Sequence, residues 1–565
     1  MTIKEKILKE LENPKIPDLK FLFSKEVLDE TATILLDLLK EEKEKFDSIL
    51  KVKDTDITFE LFQDFSRLDL LFSLLNHLNN VNSSDKTRKI IEQFEPKYVD
   101  FGNYISYSRR YYDMLVYCRK KYSLDNEQKR ILDLSIKAYE VRGIKLDQVK
   151  QKRLKEINKK LSKLSTRFGN NVLDSRKKFS FIFKNDTLIK DIPENDLLDA
   201  KNKAEKKGKK GYLFDASSGA YEAIMKYCID PKIREYFYTE RNKFASEGKL
   251  DNRPLVIEIL KLKQEKAHIL GYKNYAELSL VFKMADKPKE IISLIDKVSK
   301  KAKKKAIKEI ETLKKYFKLI DIHPYDLAYY SRIYKEKKYK FEEKELKKYF
   351  EFDKVLKGLF EITNRLYGLE MKEIKIDSYS PDIKVYEVYK DDKLLSYFIG
   401  DYFFNENKRS GAWCDNLRPK QGIRDKGQGK SSVIASETKQ SREQLDRHEL
   451  SLHSNSRDDK VLLPIVINVC AFAKQESGKI FLNHIDVETM FHEFGHALHE
   501  MLSKSKYSDL SGFNVEWDFV ELPSQIMENW CNEEESLNLF ASHYENGTKI
   551  PKKMLKIMDK LKTYG

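Results

Sequence analysis

Two histidines four residues apart, with a glutamate directly after the first, stand in the stretch VETMFHEFGHALHEML at 487–502: His492, Glu493 and His496. On an α-helix, residues four apart lie about 40° apart around the axis and about 6 Å apart along it. His492 and His496 therefore point the same way and can reach one zinc ion. Glu493 lies about 100° round from His492, where it can approach a metal-bound water without ligating the metal itself. Neutral imidazoles hold the ion, and the carboxylate accepts a proton from the water. The plainer reading is a polar helix face with two exposed histidines. Against it, Met490, Phe491, Phe494, Ala497 and Leu498 supply an apolar flank, and a strand-like segment precedes the motif.

Such a site needs a third ligand. His499 lies on roughly the same face but about 10 Å along the axis from His492, too far to share one ion. Carboxylates of a second helix are better placed. DFVELPSQIMENWCNEEESLNLF (518–540) is expected to start a new helix, with Pro523 tolerated in its first turn. Glu521 sits near its start, and Glu528 follows two turns later, about 20° off the same face. One could ligate the ion while the other orients a ligand histidine. Spacing alone does not choose between them.

The elements that must position these residues divide near 185. Residues 1–185 form an N-terminal helical region, and 186–565 form the catalytic region. Within the first, 128–165 reads as a nearly unbroken helical stretch apart from Gly143, and KKFSFIFKND (177–186) alternates like a short strand. Helices are expected over 219–245, 253–281, 287–317 and 343–367. From 383 the pattern changes. IKVYEVYKDDKLLSYFIGDYFF reads as two strands turning at Asp391-Asp392. GAWCDNL (411–417) and LLPIVINVCAFA (462–473) add further strands, and a helix begins near Val487. Between them, 419–458 is polar and rich in Ser, Gln, Lys and Arg. It is read as an inserted, largely disordered surface loop whose His448 and His453 are solvated rather than liganding.

Composition narrows the function classes. A chain of 565 residues exceeds one hydrophobic core. With 41% hydrophobic and 12% aromatic residues it is globular rather than disordered. The net charge of +16 is read as a lysine-rich solvated surface, because no nucleic-acid recognition module accompanies it. KKAKKKAIKEIETLKKYFK (300–318) keeps helical apolar spacing at Ala306, Ile307, Ile310 and Leu313. The five cysteines are scattered, which argues for reduced thiols in a cytoplasm. The N-terminal stretch has no apolar signal core, and the longest apolar run, 461–473, is too short to span a bilayer.

FHEFGHALHEML followed by SGFNVEWDFVELPSQIMENW resembles the M3 family of zinc metallopeptidases, the thimet oligopeptidase family. NVEWDFVELPSQIMENW and ENKRSGAWCD (406–415) point to its bacterial oligopeptidase A branch. Weaker similarity runs through ILGYKNYAELSL (269–280) and DLAYYS (326–331). The resemblance implies one Zn2+ held by His492, His496 and Glu521, Glu493 as catalytic base, and Glu528 left as a candidate behind the ligands. It implies a mainly α, elongated, two-lobed zincin-type fold, with a small β-sheet beside the active-site helix and a deep central channel. The activity implied is endopeptidase cleavage of short unstructured peptides, with no nucleic acid and no membrane as partner. A dipeptidyl carboxypeptidase of the same family, or a non-catalytic remnant binding zinc or peptide, are its alternatives. Family members continue beyond the position of Gly565 into a Gly- and Tyr-rich region with a substrate-contacting His and Tyr residues. A C-terminally truncated chain is therefore the expectation: the product of a shortened gene, or of a split gene whose separately encoded C-terminal segment is the other half, or a fragment.

Overall fold

The computed structural model describes residues 2–63, 66–339, 343–419, 421–423, 460–472 and 479–562. The elements that matter for the site are helices α1 (Lys25–Ile49), α2 (Arg67–Val81), α3 (Gln148–Lys177), α4 (Pro288–Phe317), α5 (Phe352–Tyr367), α6 (His484–Met501) and α7 (Leu522–Glu528). Strands β1 (Leu369–Ile374), β2 (Lys384–Lys390), β3 (Lys393–Phe403), β4 (Trp413–Arg418) and β5 (Ile465–Phe472) form one sheet. The chain is thus mainly helical with a small sheet beside the HEFGH helix, as expected.

The sheet runs in the order β1-β2-β3-β5-β4, antiparallel except for the β3/β5 pair, with β4 at one edge. The β2–β3 hairpin turns at Asp391 and Asp392, whose φ values of 50° and 58° are those of a type I′ turn. Strand β1 lies outside the segments read as strands from the sequence; its register puts Leu369 opposite Lys390.

Alternation along the strands divides their side chains between two cores. Tyr397, Ile399, Ile465, Ile467 and Val469 pack with Ile34, Leu38, Leu71 and Leu75 of α1 and α2. Phe398, Tyr402, Val466 and Cys470 pack with Leu356 and Leu359 of α5 and Met490 and Phe494 of α6. This two-sided cover explains why β5 reads as a continuous apolar run rather than an alternating one.

Several boundaries differ from the sequence reading. The stretch 128–165 breaks into Asn126–Val141 and α3. Gly143 adopts φ +87°, and a Cβ there would meet Leu154 and Leu146 at 2.7 and 2.8 Å, so the chain reverses at that glycine. The strand Ser180–Phe183 pairs with Tyr212–Asp215, a partner not anticipated. Helices expected over 219–245, 253–281 and 343–367 are each interrupted by a short turn. In α4, the expected amphipathic helix, Leu313 is buried while 292–308 is exposed. Of the inserted segment, Gln421–Ile423 pairs with Lys460–Leu462. Residues 424–459, with His448 and His453, lie outside the described residues.

Candidate metal centre

Helix α6 starts three residues earlier than expected. Asn483 caps it by accepting from the Asp486 amide while Asp486 accepts from the Asn483 amide. Val487, Met490, Phe491, Phe494 and Leu498 anchor one face in the core. That leaves His492 and His496 on the opposite side, half-buried, with ring centroids 5.0 Å apart.

The segment expected to form one helix over 518–540 is instead α7, a 3-10 turn at Asn529–Cys531 and a separate helix at Glu534–Phe540. Pro523 falls in the first turn, as expected. Glu521 is the N-cap residue rather than a helical one, so its side chain reaches toward α6 from the helix end. The approach of the two helices is set at Gly495, where a Cβ would lie 2.6 Å from the Ser524 Cα.

The result is a compact donor set. Glu521 Oε2 lies 3.3 Å from His492 Nε2 and 3.2 Å from His496 Nε2. Donors bound tetrahedrally at about 2.0–2.1 Å from one zinc ion stand about 3.3 Å apart. The two edges that Glu521 makes thus match such a site, all three donors lie within 4.8 Å of one another, and two imidazoles with one carboxylate suit zinc chemically. Ser524 Oγ donates to Glu521 Oε2 at 2.8 Å and fixes that carboxylate.

Glu528, the other carboxylate of the pair left open by spacing, lies behind His492. His492 Nδ1 and Glu528 Oε1 are 2.6 Å apart. A donor hydrogen on Nδ1 leaves the Nε2 lone pair for a metal. His499 is not one of the grouped donors; its ring lies 6.1 Å from Phe519.

Glu493 is buried beside this group, 7% exposed. Burial pushes its carboxyl up to about 7, opposed by His492 and by the Cys414 amide of β4, and aided by the Glu521 charge. Burial also holds His496 below the usual imidazole range, which favours the neutral, ligating form. Gly495 escaped the sequence reading because its role depends on a contact between elements, and Ser524 although it stands only three residues after Glu521. The GH pair inside HEFGH was the available signal for Gly495.

Among the described residues no helix is long and apolar enough to cross a membrane. Residues 224–565 match the model of peptidase family M3, and residues 33–151 match the N-terminal domain of neurolysin/thimet oligopeptidase. Oligopeptidase A of Salmonella typhimurium is 33% identical over 513 residues, covering 88% of this chain and 71% of that protein. Dipeptidyl carboxypeptidase of Escherichia coli is 25% identical, covering 87% and 69%. A solved structure titled PZ peptidase A with inhibitor 2 covers 95% of this chain and 72% of its own, with 13% identity and a TM-score of 0.42. The chain belongs to peptidase family M3, a family of metallopeptidases.

Proposed function

We propose that this protein is a zinc-dependent endopeptidase of short unstructured peptides, with an activity like that of oligopeptidase A. The observation that carries the reading is the Glu521 carboxylate, 3.2 and 3.3 Å from two imidazole nitrogens on the HEFGH helix, with Glu493 buried alongside. His492, His496 and Glu521 would hold the ion, and Glu528 and Ser524 keep two of those ligands oriented. A bound zinc ion supplies Lewis acidity toward water and a peptide carbonyl. Glu493 takes one proton from the attacking water as its oxygen bonds to the scissile carbon. It then delivers that proton to the leaving amine nitrogen as the C–N bond breaks.

Restricted access through a deep channel between two lobes would limit substrates to short, unfolded peptides. All five cysteines are free, which suits a reducing cytoplasm; fractionation with secreted markers would contradict that placement. The test of activity is an internally quenched peptide with an amidated C-terminus. Chelator-sensitive cleavage at an internal bond supports an endopeptidase. Cleavage only of the free-acid form, two residues from its end, supports a dipeptidyl carboxypeptidase instead. No turnover by a chain loaded with zinc refutes the catalytic reading and leaves a metal- or peptide-binding protein.

A further inference from the structure

Glu500 lies on α6, four residues beyond His496, and is 2% exposed. A buried carboxylate carries a desolvation cost unless donors meet it. Here the donors come from one loop of another part of the chain. Ser511 Oγ donates to Oε1 at 3.1 Å and the Phe513 amide to Oε2 at 3.4 Å. Gly512 is pressed against this carboxylate. A Cβ there would meet Glu500 Oε2 at 1.8 Å and Glu500 Cα at 2.6 Å.

Each tie leads back to the metal centre. Phe513 sets its ring 6.4 Å from His496. From Phe513 the chain runs eight residues to Glu521, and on the way Asp518 accepts from the Met284 and Ala285 amides at 2.9 and 3.1 Å. Glu500 itself is not among the grouped donors.

We propose that Glu500 is a positioning residue for the metal site. Its buried carboxylate clamps the Ser511–Phe513 loop onto the HEFGH helix. The clamp keeps Glu521 in register with the two histidines and Glu493. Glutamine at 500 has one acceptor oxygen where the loop uses both. Alanine at 512 displaces the carboxylate from the other side.

The inference rests on the site holding a metal, and the test separates the two. Apo full-length chain is titrated with Co2+ against a chromophoric chelator, and the visible d–d bands of the bound ion are recorded. Loss of an outer partner of a metal site costs about 10–100-fold in affinity. Glu500→Gln, Ser511→Ala and Gly512→Ala are expected to fall in that range with altered bands. Leu75→Ala, a core truncation under the opposite face of the sheet, should lower the melting temperature and leave both readouts unchanged. Folded Glu500→Gln with wild-type affinity and bands overturns the proposal. If that variant does not fold, wild-type values for both Gly512→Ala and Ser511→Ala overturn it. An equal loss in Leu75→Ala overturns it too, since general destabilisation would then suffice. A wild-type chain that binds no Co2+ overturns the metal reading itself.

Discussion

Gly495→Ala tests whether the closeness of two helices sets the donor geometry. Gly495 lies between His492 and His496. An alanine Cβ there would stand 2.6 Å from Ser524 Cα, 2.7 Å from the Pro523 carbonyl oxygen and 3.0 Å from the Ser524 nitrogen. All three are backbone atoms, so no side-chain rotation relieves the contact. Restoring an ordinary carbon–carbon separation of about 3.5 Å requires α7 to withdraw by about 0.9 Å. Glu521 caps that helix and would move with it. Its present 3.2–3.3 Å spacing to the imidazoles would open to about 4 Å, too wide for one ion with bonds of about 2.0–2.2 Å. Overpacking costs about 1–3 kcal/mol of stability, which a domain stable by about 5–15 kcal/mol survives. The variant should therefore fold but bind zinc at least 10–100-fold more weakly, the penalty for losing even an outer partner being of that order. Chelator competition on the folded protein measures this. Wild-type zinc affinity in folded Gly495→Ala would refute the reasoning.

Other consequences are equally direct. Glu528→Gln removes the charge from a 2.6 Å contact to His492 and should weaken zinc binding by about 10–100-fold; an unchanged dissociation constant would remove Glu528 from the site. Lys408 is fully buried and donates to Asp401 Oδ1 at 2.5 Å and to the Cys470 carbonyl at 3.1 Å. Lys408→Met strands a buried carboxylate and should cost about 3–5 kcal/mol in denaturant unfolding, partly restored by adding Asp401→Leu. Burial raises the Asp215 carboxyl, but the Ser217 hydroxyl and amide and the Lys203 ammonium outweigh it and hold it below the usual range. Its stabilising effect is therefore present above the unfolded value and lost as pH falls through the folded one. Asp215→Asn should lower the melting temperature at neutral pH, with the difference vanishing in strong acid; a constant difference across pH would contradict this.

The grouping of His492, His496 and Glu521 was legible because the two histidines follow from helical geometry inside one short motif, and Glu521 from the resemblance carried by one distinctive block after it. Periodicity also located α4 and the β2–β3 turn, where the local residues decide the conformation. Boundaries set by packing were less legible. Glu521 was read as helical, but the chain enters α7 only after it, and the following helix breaks at a 3-10 turn. The strand Tyr212–Asp215 is four residues long and depends on its partner Ser180–Phe183. Glu500 and Gly495 act through contacts with residues of other elements, which carry no periodic signal.

The central claim is a division of labour: three side chains hold the ion and Glu493 handles the proton. Metal content and peptide turnover, measured together on wild type, Glu521→Ala and Glu493→Gln, test it most directly. The account predicts one zinc per chain with turnover in the wild type, loss of both in Glu521→Ala, and retained zinc without turnover in Glu493→Gln. A Glu493→Gln protein that loses its zinc, or that still cleaves peptide at the wild-type rate, would contradict it.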